Sequence, residues 1–203
     1  MTAKNEIERF QHNNRTVVLL YDLCPQDPRE WDNLTTMACW HRRLKLGDKQ
    51  LNTRYTEEEF REFVGEEILA ILPLYLYDHS DITIRTTPFS CQWDSGQVGF
   101  AYITKSNAEK WGCGDGGDWT QEKLENVIRS DVEIYDWYLT DQCSGYQILG
   151  LDGEVITDCW GFLGPIENCR EEAKFAAEDV EDPAVQEMAN ELASRATYAG
   201  VSP

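Results

Sequence analysis

Carboxylates outnumber cations about two to one in this chain: 37 Asp and Glu against 18 Lys and Arg leave a formal charge of −19 over 203 residues. So much like charge keeps a chain unfolded unless it can bury enough apolar surface. This one can, because 41% of its residues are hydrophobic and 7 Trp, 9 Tyr and 7 Phe stand among them. The expected product is a well-filled core inside an anionic shell. Such a shell repels nucleic acid and membrane surfaces and attracts basic partners. The charge lies far beyond the magnitude of about 2–8 that solubility asks of a small domain, so a role for it is expected.

A chain of this length predicts one domain, or one with an appendage. The opening MTAKNEIERFQHNN is polar and holds no apolar signal region, and no apolar run approaches the ~18 residues of a membrane span. A cytoplasmic protein is therefore expected, with no membrane partner. The seven cysteines (Cys24, Cys39, Cys91, Cys113, Cys143, Cys159 and Cys169) include no CxxC pair. They read as buried small hydrophobes in a reducing compartment.

Residues 1–15 read as a polar lead-in. Residues 16–22 (TVVLLYD) read as a strand and residues 34–44 as a short irregular or helical piece. Thr56 and Glu59 form a capping box that opens a helix predicted over 56–72, with Phe60, Phe63, Val64, Ile68 and Leu72 as its stripe and Pro73 at its end. Strands are predicted at 74–77, 82–86 and 98–103. A short helix follows Thr104. The glycine-rich 112–119 segment (GCGDGGDW) lacks the Lys-Ser/Thr of a phosphate loop and reads as a connection. The longest helix is predicted over 120–139, and Asp152-Gly153 marks a hairpin turn between strands 146–151 and 155–160. After Gly164-Pro165 the sequence turns alanine- and glutamate-rich. The fold class expected is α+β: a mainly antiparallel sheet packed by the 56–72 and 120–139 helices in a 1–164 body, with an acidic C-terminal helical hairpin over 165–203.

Two blocks concentrate the unusual residues: PREWDNLTTMACWHRRLKLGD over 28–48 and YDHSDITIRTTPFSCQWDSGQVGF over 77–100. There, across roughly residues 17–162, the chain resembles a family of small proteins from phages, plasmids and integrated elements. Those proteins share a "PREWDNL…C.HRR..LGD" segment and a "YDHS.I…TTPFSC.WDSGQVGF" segment. The resemblance implies a mobile-element setting, in which inhibitors of host defence are common. It implies no reaction.

Read as chemistry, Asp78, His79 and Asp94 could hold a divalent cation through oxygen and imidazole ligands. No other cofactor is expected. Cys91, helped by His79 or His41, would be the candidate nucleophile. Against both stands a structural alternative, because Asp and Ser in DHSD and WDSG make good turn caps. Arg42, Arg43 and Lys45 form one basic cluster, too small for the broad stripe that nucleic acid needs, and internal carboxylates are its expected partners.

The leading functional expectation is non-enzymatic: an anti-defence inhibitor whose carboxylates occupy a basic nucleic-acid groove. The target would be a host nucleic-acid-binding protein or ribonucleoprotein, such as an RNA-guided nuclease or a restriction system. Candidate contact residues are Glu57, Glu58 and Glu62 on the first helix. On the long helix they are Glu122, Glu125, Asp131, Glu133 and Asp136. On the tail they are Glu171, Glu172, Glu178, Asp179, Glu181 and Asp182. The alternative is a small enzyme or ligand binder that uses the 78–81 and 91–94 turns, for example on a signalling nucleotide.

Overall fold

The computed structural model describes residues 4–79, 81–91, 93–112, 119–181, 185–188 and 190–191. The chain is α+β with mostly antiparallel strands, and these form two sheets. It divides into two compact units, one from Gln26–Asp141 and the other from the flanking segments Met1–Pro25 and Gln142–Pro203.

In the flanking unit, β1 (Glu6–His12), β2 (Arg15–Tyr21), β8 (Cys143–Leu149) and β9 (Val155–Leu163) form an antiparallel sheet in the order β1-β2-β8-β9. The predicted polar lead-in is thus largely a strand. Its signal was the Asn13-Asn14 pair, both at positive φ (49° and 58°), the backbone that a two-residue hairpin turn demands. Its sparse apolar residues, Ile7 and Phe10, suffice because both pack on the unit's core. Helix α4 (Ile166–Asp179) lays Cys169, Ala173 and Ala177 against Val17, Leu19, Tyr146 and Ile148. Small side chains at every fourth position let the helix approach the strands closely. The second arm of the predicted hairpin, around 184–199, lies mostly outside the described residues.

In the 26–141 unit the strand order is β4-β3-β7-β5-β6. The strands are β3 (Thr36–Cys39), β4 (Lys49–Gln50), β5 (Ile68–Asp78), β6 (Ile82–Arg85) and β7 (Ser95–Thr104). Only the short β3–β4 pair is parallel among the described strands. The predicted 56–72 helix is corrected: α1 spans Glu57–Val64 and stops at Gly65, which adopts the left-handed conformation (φ 70°). Glycine enters that conformation without strain, and ILAILPLYLY is then free to extend as a strand. Pro73 lies inside β5 because β6 pairs only with Tyr75–Asp78. At Pro73 the strand has a neighbour on one side alone, so its missing N–H costs no ladder bond.

Helix α3 (Gln121–Leu139) buries Leu124, Ile128, Val132 and Tyr135 in a cluster with Leu74, Leu76, Ile84, Ala101 and Ile103. A second cluster holds Phe60 of α1 with Trp40, Ile71, Phe100 and Tyr102. There the Phe60 and Phe100 rings stack with centroids 4.9 Å apart. The short helix α2 (Lys105–Lys110) follows β7 and is capped by Thr104.

Candidate functional site: acidic helix faces and a polar cleft

On the first helix Glu57, Glu58 and Glu62 are all exposed. Glu57 pairs with Arg61 at 2.9 Å, one turn on, and Phe63 beside Glu62 is 54% exposed. On α3 the five candidate acids differ in exposure. Glu122 and Glu133 are exposed. Glu125 is held by Arg129 at 2.8 Å, and this bond with that from Gln121 keeps its carboxyl below the usual range. Asp136 faces inward, where it accepts the Ile84 N–H at 2.7 Å and the Thr83 hydroxyl at 2.6 Å. It therefore ties α3 to β6. Asp131 is also drawn in, and burial pushes its carboxyl above the usual carboxylate range.

Asp131 and Asp136 therefore leave the set of docking candidates. The sequence placed them on a helix but not on a side of it. The Asp131 shift makes a prediction. A folded-state pKa above the unfolded one adds stability at pH below the unfolded value, and that stability is lost as pH rises through the folded value. Asp131→Asn is thus expected to raise the melting temperature at neutral pH. The gap should close as pH falls through the carboxylate range. A lower melting temperature at neutral pH would show that the bonds made by the ionised group outweigh its burial.

On α4, Glu171, Glu172, Glu178 and Asp179 are exposed. Glu171 reaches Lys174 at 2.9 Å and Glu178 reaches His12 at 3.0 Å. At the middle of these four lies Phe175, 74% exposed. Helical spacing sets Glu171 and Glu172 one turn before it and Glu178 and Asp179 one turn after, around a single aromatic ring. Glu181 is exposed just past the helix, and Asp182 lies outside the described residues.

The two unusual sequence blocks meet in the 26–141 unit and then divide their labour. Arg29, whose side chain is 4% exposed, grips both oxygens of Asp48 at 2.7 and 3.2 Å and also donates to the Thr35 carbonyl at 2.7 Å. Asp48 in turn accepts the Met37 N–H at 2.6 Å. The Gly47 N–H next to it donates to the Tyr135 hydroxyl at 3.0 Å. Burial pushes that hydroxyl up to about 12, so it stays protonated. This half of the blocks is a clasp that holds the loop after β3.

The other half lines a cleft of about 730 Å3. Its walls come from Trp40, His41 and Arg42 after β3, residues 51–54 after β4, Asp78 at the end of β5, and residues 93–98 entering β7. Residues 95–97 pair with β5 alone, because β3 pairs only with residues 99–102 of β7. The cleft opens where that neighbour ends. Trp40 closes its inner side: its backbone N–H reaches the Val98 carbonyl at 2.7 Å and its indole N–H the Gln97 carbonyl at 3.2 Å. His41 accepts the Leu44 N–H on Nδ1 at 3.0 Å, which puts its proton on Nε2. Nε2 then faces Asp78 Oδ2 at 3.6 Å, and Arg43 pairs with the same oxygen.

Asp78 is therefore spent on Arg43 and His41 and does not join His79 and Asp94 in a ligand set. His79 lies one position further along and turns toward the Tyr77 ring at 6.4 Å, as strand alternation dictates. The main chains of Asp78 and Asp94 meet, N–H to carbonyl at 2.8 Å. Among the described residues no three His, Cys, Asp or Glu side chains converge as a metal site would require. Cys91 has Asp94 as its hydrogen-bond partner, at 3.6 Å from sulfur to Oδ2, and among the described residues no hydrogen bond joins it to a histidine. A nucleophilic cysteine needs a base or cation beside it. Cys39, Cys143 and Cys169 are buried. Burial pushes the Cys39 thiol up to about 12 and the Cys143 thiol to about 11. Cys24 and Cys159 are exposed, contrary to the expectation for them, and Cys113 lies outside the described residues.

Sequence reasoning missed Arg54, Asn52 and Thr53 as partners of the WHRR and WDSG segments. Only the short parallel β3–β4 pairing brings them to the cleft, and no local pattern announces it. No helix among the described residues is long and apolar enough to cross a membrane. No family model, curated protein or solved structure matches the chain.

Proposed function

We propose that this chain is a binding protein that docks through carboxylates on the basic, nucleic-acid-holding surface of a partner. The partner class is a nucleic-acid-binding protein or ribonucleoprotein of a host defence system, and the chain would act as a mobile-element inhibitor in the cytoplasm. The observation that carries this reading is Phe175, 74% exposed and ringed by Glu171, Glu172, Glu178 and Asp179. What supports a contact is the combination of an open aromatic ring with four carboxylates one turn to either side of it, an apolar anchor set inside a charge pattern. An aromatic anchor supplies affinity when it enters a partner's pocket. The carboxylates around it would steer a cationic surface into place and set the salt dependence. The α1 face, with Glu58, Glu62 and half-exposed Phe63, offers a second patch of the same kind.

The test uses immobilised chain and purified RNA-guided nucleases and restriction endonucleases, each bound to labelled DNA. Release of DNA and capture of the enzyme are expected at ~0.1 M salt. Both should be lost at ~1 M salt, where the screening length falls to ~3 Å. Phe175→Ala should weaken capture at least tenfold. Reversal of the four surrounding carboxylates to Lys should abolish it, with the circular dichroism spectrum unchanged. Capture that survives this reversal and the same reversal of Glu57, Glu58 and Glu62 would overturn the docking mode. The absence of any salt-sensitive capture would overturn the partner class.

A further inference from the structure

The cleft of the 26–141 unit calls for an occupant of its own. The chain sets 18 cations against 37 carboxylates, and among the described residues nine Lys and Arg side chains are paired with an acid. Arg42 and Arg54 both line the cleft, both are exposed, and neither has an ion-pair or hydrogen-bond partner for its guanidinium among the described residues. Arg43 and Asp78 neutralise one another beside them. Of the charged groups lining the cleft, Asp94 is then the one carboxylate to set against two free guanidiniums. The cleft is thus locally cationic in a strongly anionic protein.

Trp93 also lines it, and it is 96% exposed. A tryptophan so open to water offers both faces of its indole to a flat ring, and stacking of a base on such a platform contributes about 1–3 kcal/mol. Asn52, Thr53 and Gln97 add neutral donors and acceptors of the kind that read sugar and base edges. The volume of about 730 Å3 is in the range of small-molecule sites.

We propose that this cleft binds a free nucleotide, its heterocycle on Trp93 and its phosphate between Arg42 and Arg54. The charge of −19 selects the small ligand over a polymer. A nucleotide presents its phosphates to two guanidiniums, whereas a nucleic acid would carry many more phosphates into a repulsive field. The cleft lies in the 26–141 unit and Phe175, which carries the docking reading, lies on α4 in the other unit, so substitutions at the cleft and at Phe175 test the two proposals separately.

The probes are the four ribonucleoside 5′-monophosphates and 5′-triphosphates. Adenosine, pyrophosphate and a ten-nucleotide single-stranded RNA serve as comparisons. Titration is followed by tryptophan fluorescence and calorimetry on the full chain at low salt. Saturable binding of at least one nucleotide with quenching is expected. Arg42→Gln and Arg54→Gln should each weaken it about tenfold or more, the loss of one charge-assisted hydrogen bond. Trp93→Phe should remove most of the quench and keep the heat of binding, while Trp93→Ala should weaken binding as well. All four substitutions sit at exposed side chains, so the melting temperature should not move.

No saturable binding by any nucleotide would overturn the proposal. So would pyrophosphate or adenosine binding as tightly as the nucleotide. Tighter binding of the RNA would assign the cleft to a nucleic-acid end instead, and affinity indifferent to both arginine changes would place the ligand elsewhere.

Discussion

Asp48→Ala is expected to cost the 26–141 unit about 2–3 kcal/mol, because it leaves the sealed Arg29 guanidinium without its charged partner while Asp48 itself is open to water. The guanidinium of Arg29 is nearly sealed from water, and both of its bonds to Asp48 would vanish together. The Met37 N–H would lose its acceptor as well. Urea unfolding should show a lower midpoint at an unchanged slope. The double change Arg29→Met with Asp48→Ala should recover part of the loss, because no charge is then left buried without a partner. A loss below ~1 kcal/mol for Asp48→Ala would mean that the loop after β3 is held by something other than this clasp.

Gly99→Ala should be worse still. A Cβ built there would sit 2.1 Å from the Ala38 carbonyl oxygen and 3.0 Å from the Cys39 Cα. Both are backbone atoms of the neighbouring strand β3, so no side-chain rotation relieves the clash. Either β3 moves away from β7 or the pairing of Cys39 with Gly99 is lost, and Trp40 and the clasp are placed by that same strand. A cost of about 4 kcal/mol or more, or failure to fold, is expected. Gly96→Ala on the same strand is the matched control. A Cβ there meets nothing within 4 Å, and the effect should stay within ~0.5 kcal/mol. Equal stabilities for the two variants would show that β3 yields easily.

These two positions also show what could be read from the chain and what could not. The PREWDNL, LGD and WDSGQVGF segments stood out by residue type, and they do build the clasp and the cleft. Nothing in their spacing said which would do which. Arg29 looks like a surface residue until the burial of its side chain is known, whereas Trp93 looks like core and is open to water. The long α3 was legible because Leu124, Ile128 and Tyr135 recur at helical spacing. The end of α1 was not, because Ile68 and Leu72 continue the period of Phe60 and Val64 by coincidence, and only the backbone at Gly65 decides. β1 hid behind its charge: alternation that is half polar reads as a loop unless the Asn-Asn turn after it is given weight. Two sheets rather than one could not have been foreseen, since local patterning sets a strand's faces and not its neighbours.

β2 lies beside β8, Tyr21 opposite Ser144, and the whole Gln26–Asp141 unit is threaded between these partners. For the folding chain this is a problem of loop closure. Closing a long flexible loop costs more than a short one, by about 0.6 kcal/mol per doubling of length, and non-local strand pairs form slowly. Both connections to the threaded segment leave from the same end of the β2–β8 pair, so once that segment has folded its ends act as a short tether. The order of events is thereby biased. The middle of the chain should acquire protection from hydrogen exchange first, and the sheet of β1, β2, β8 and β9 should be completed last.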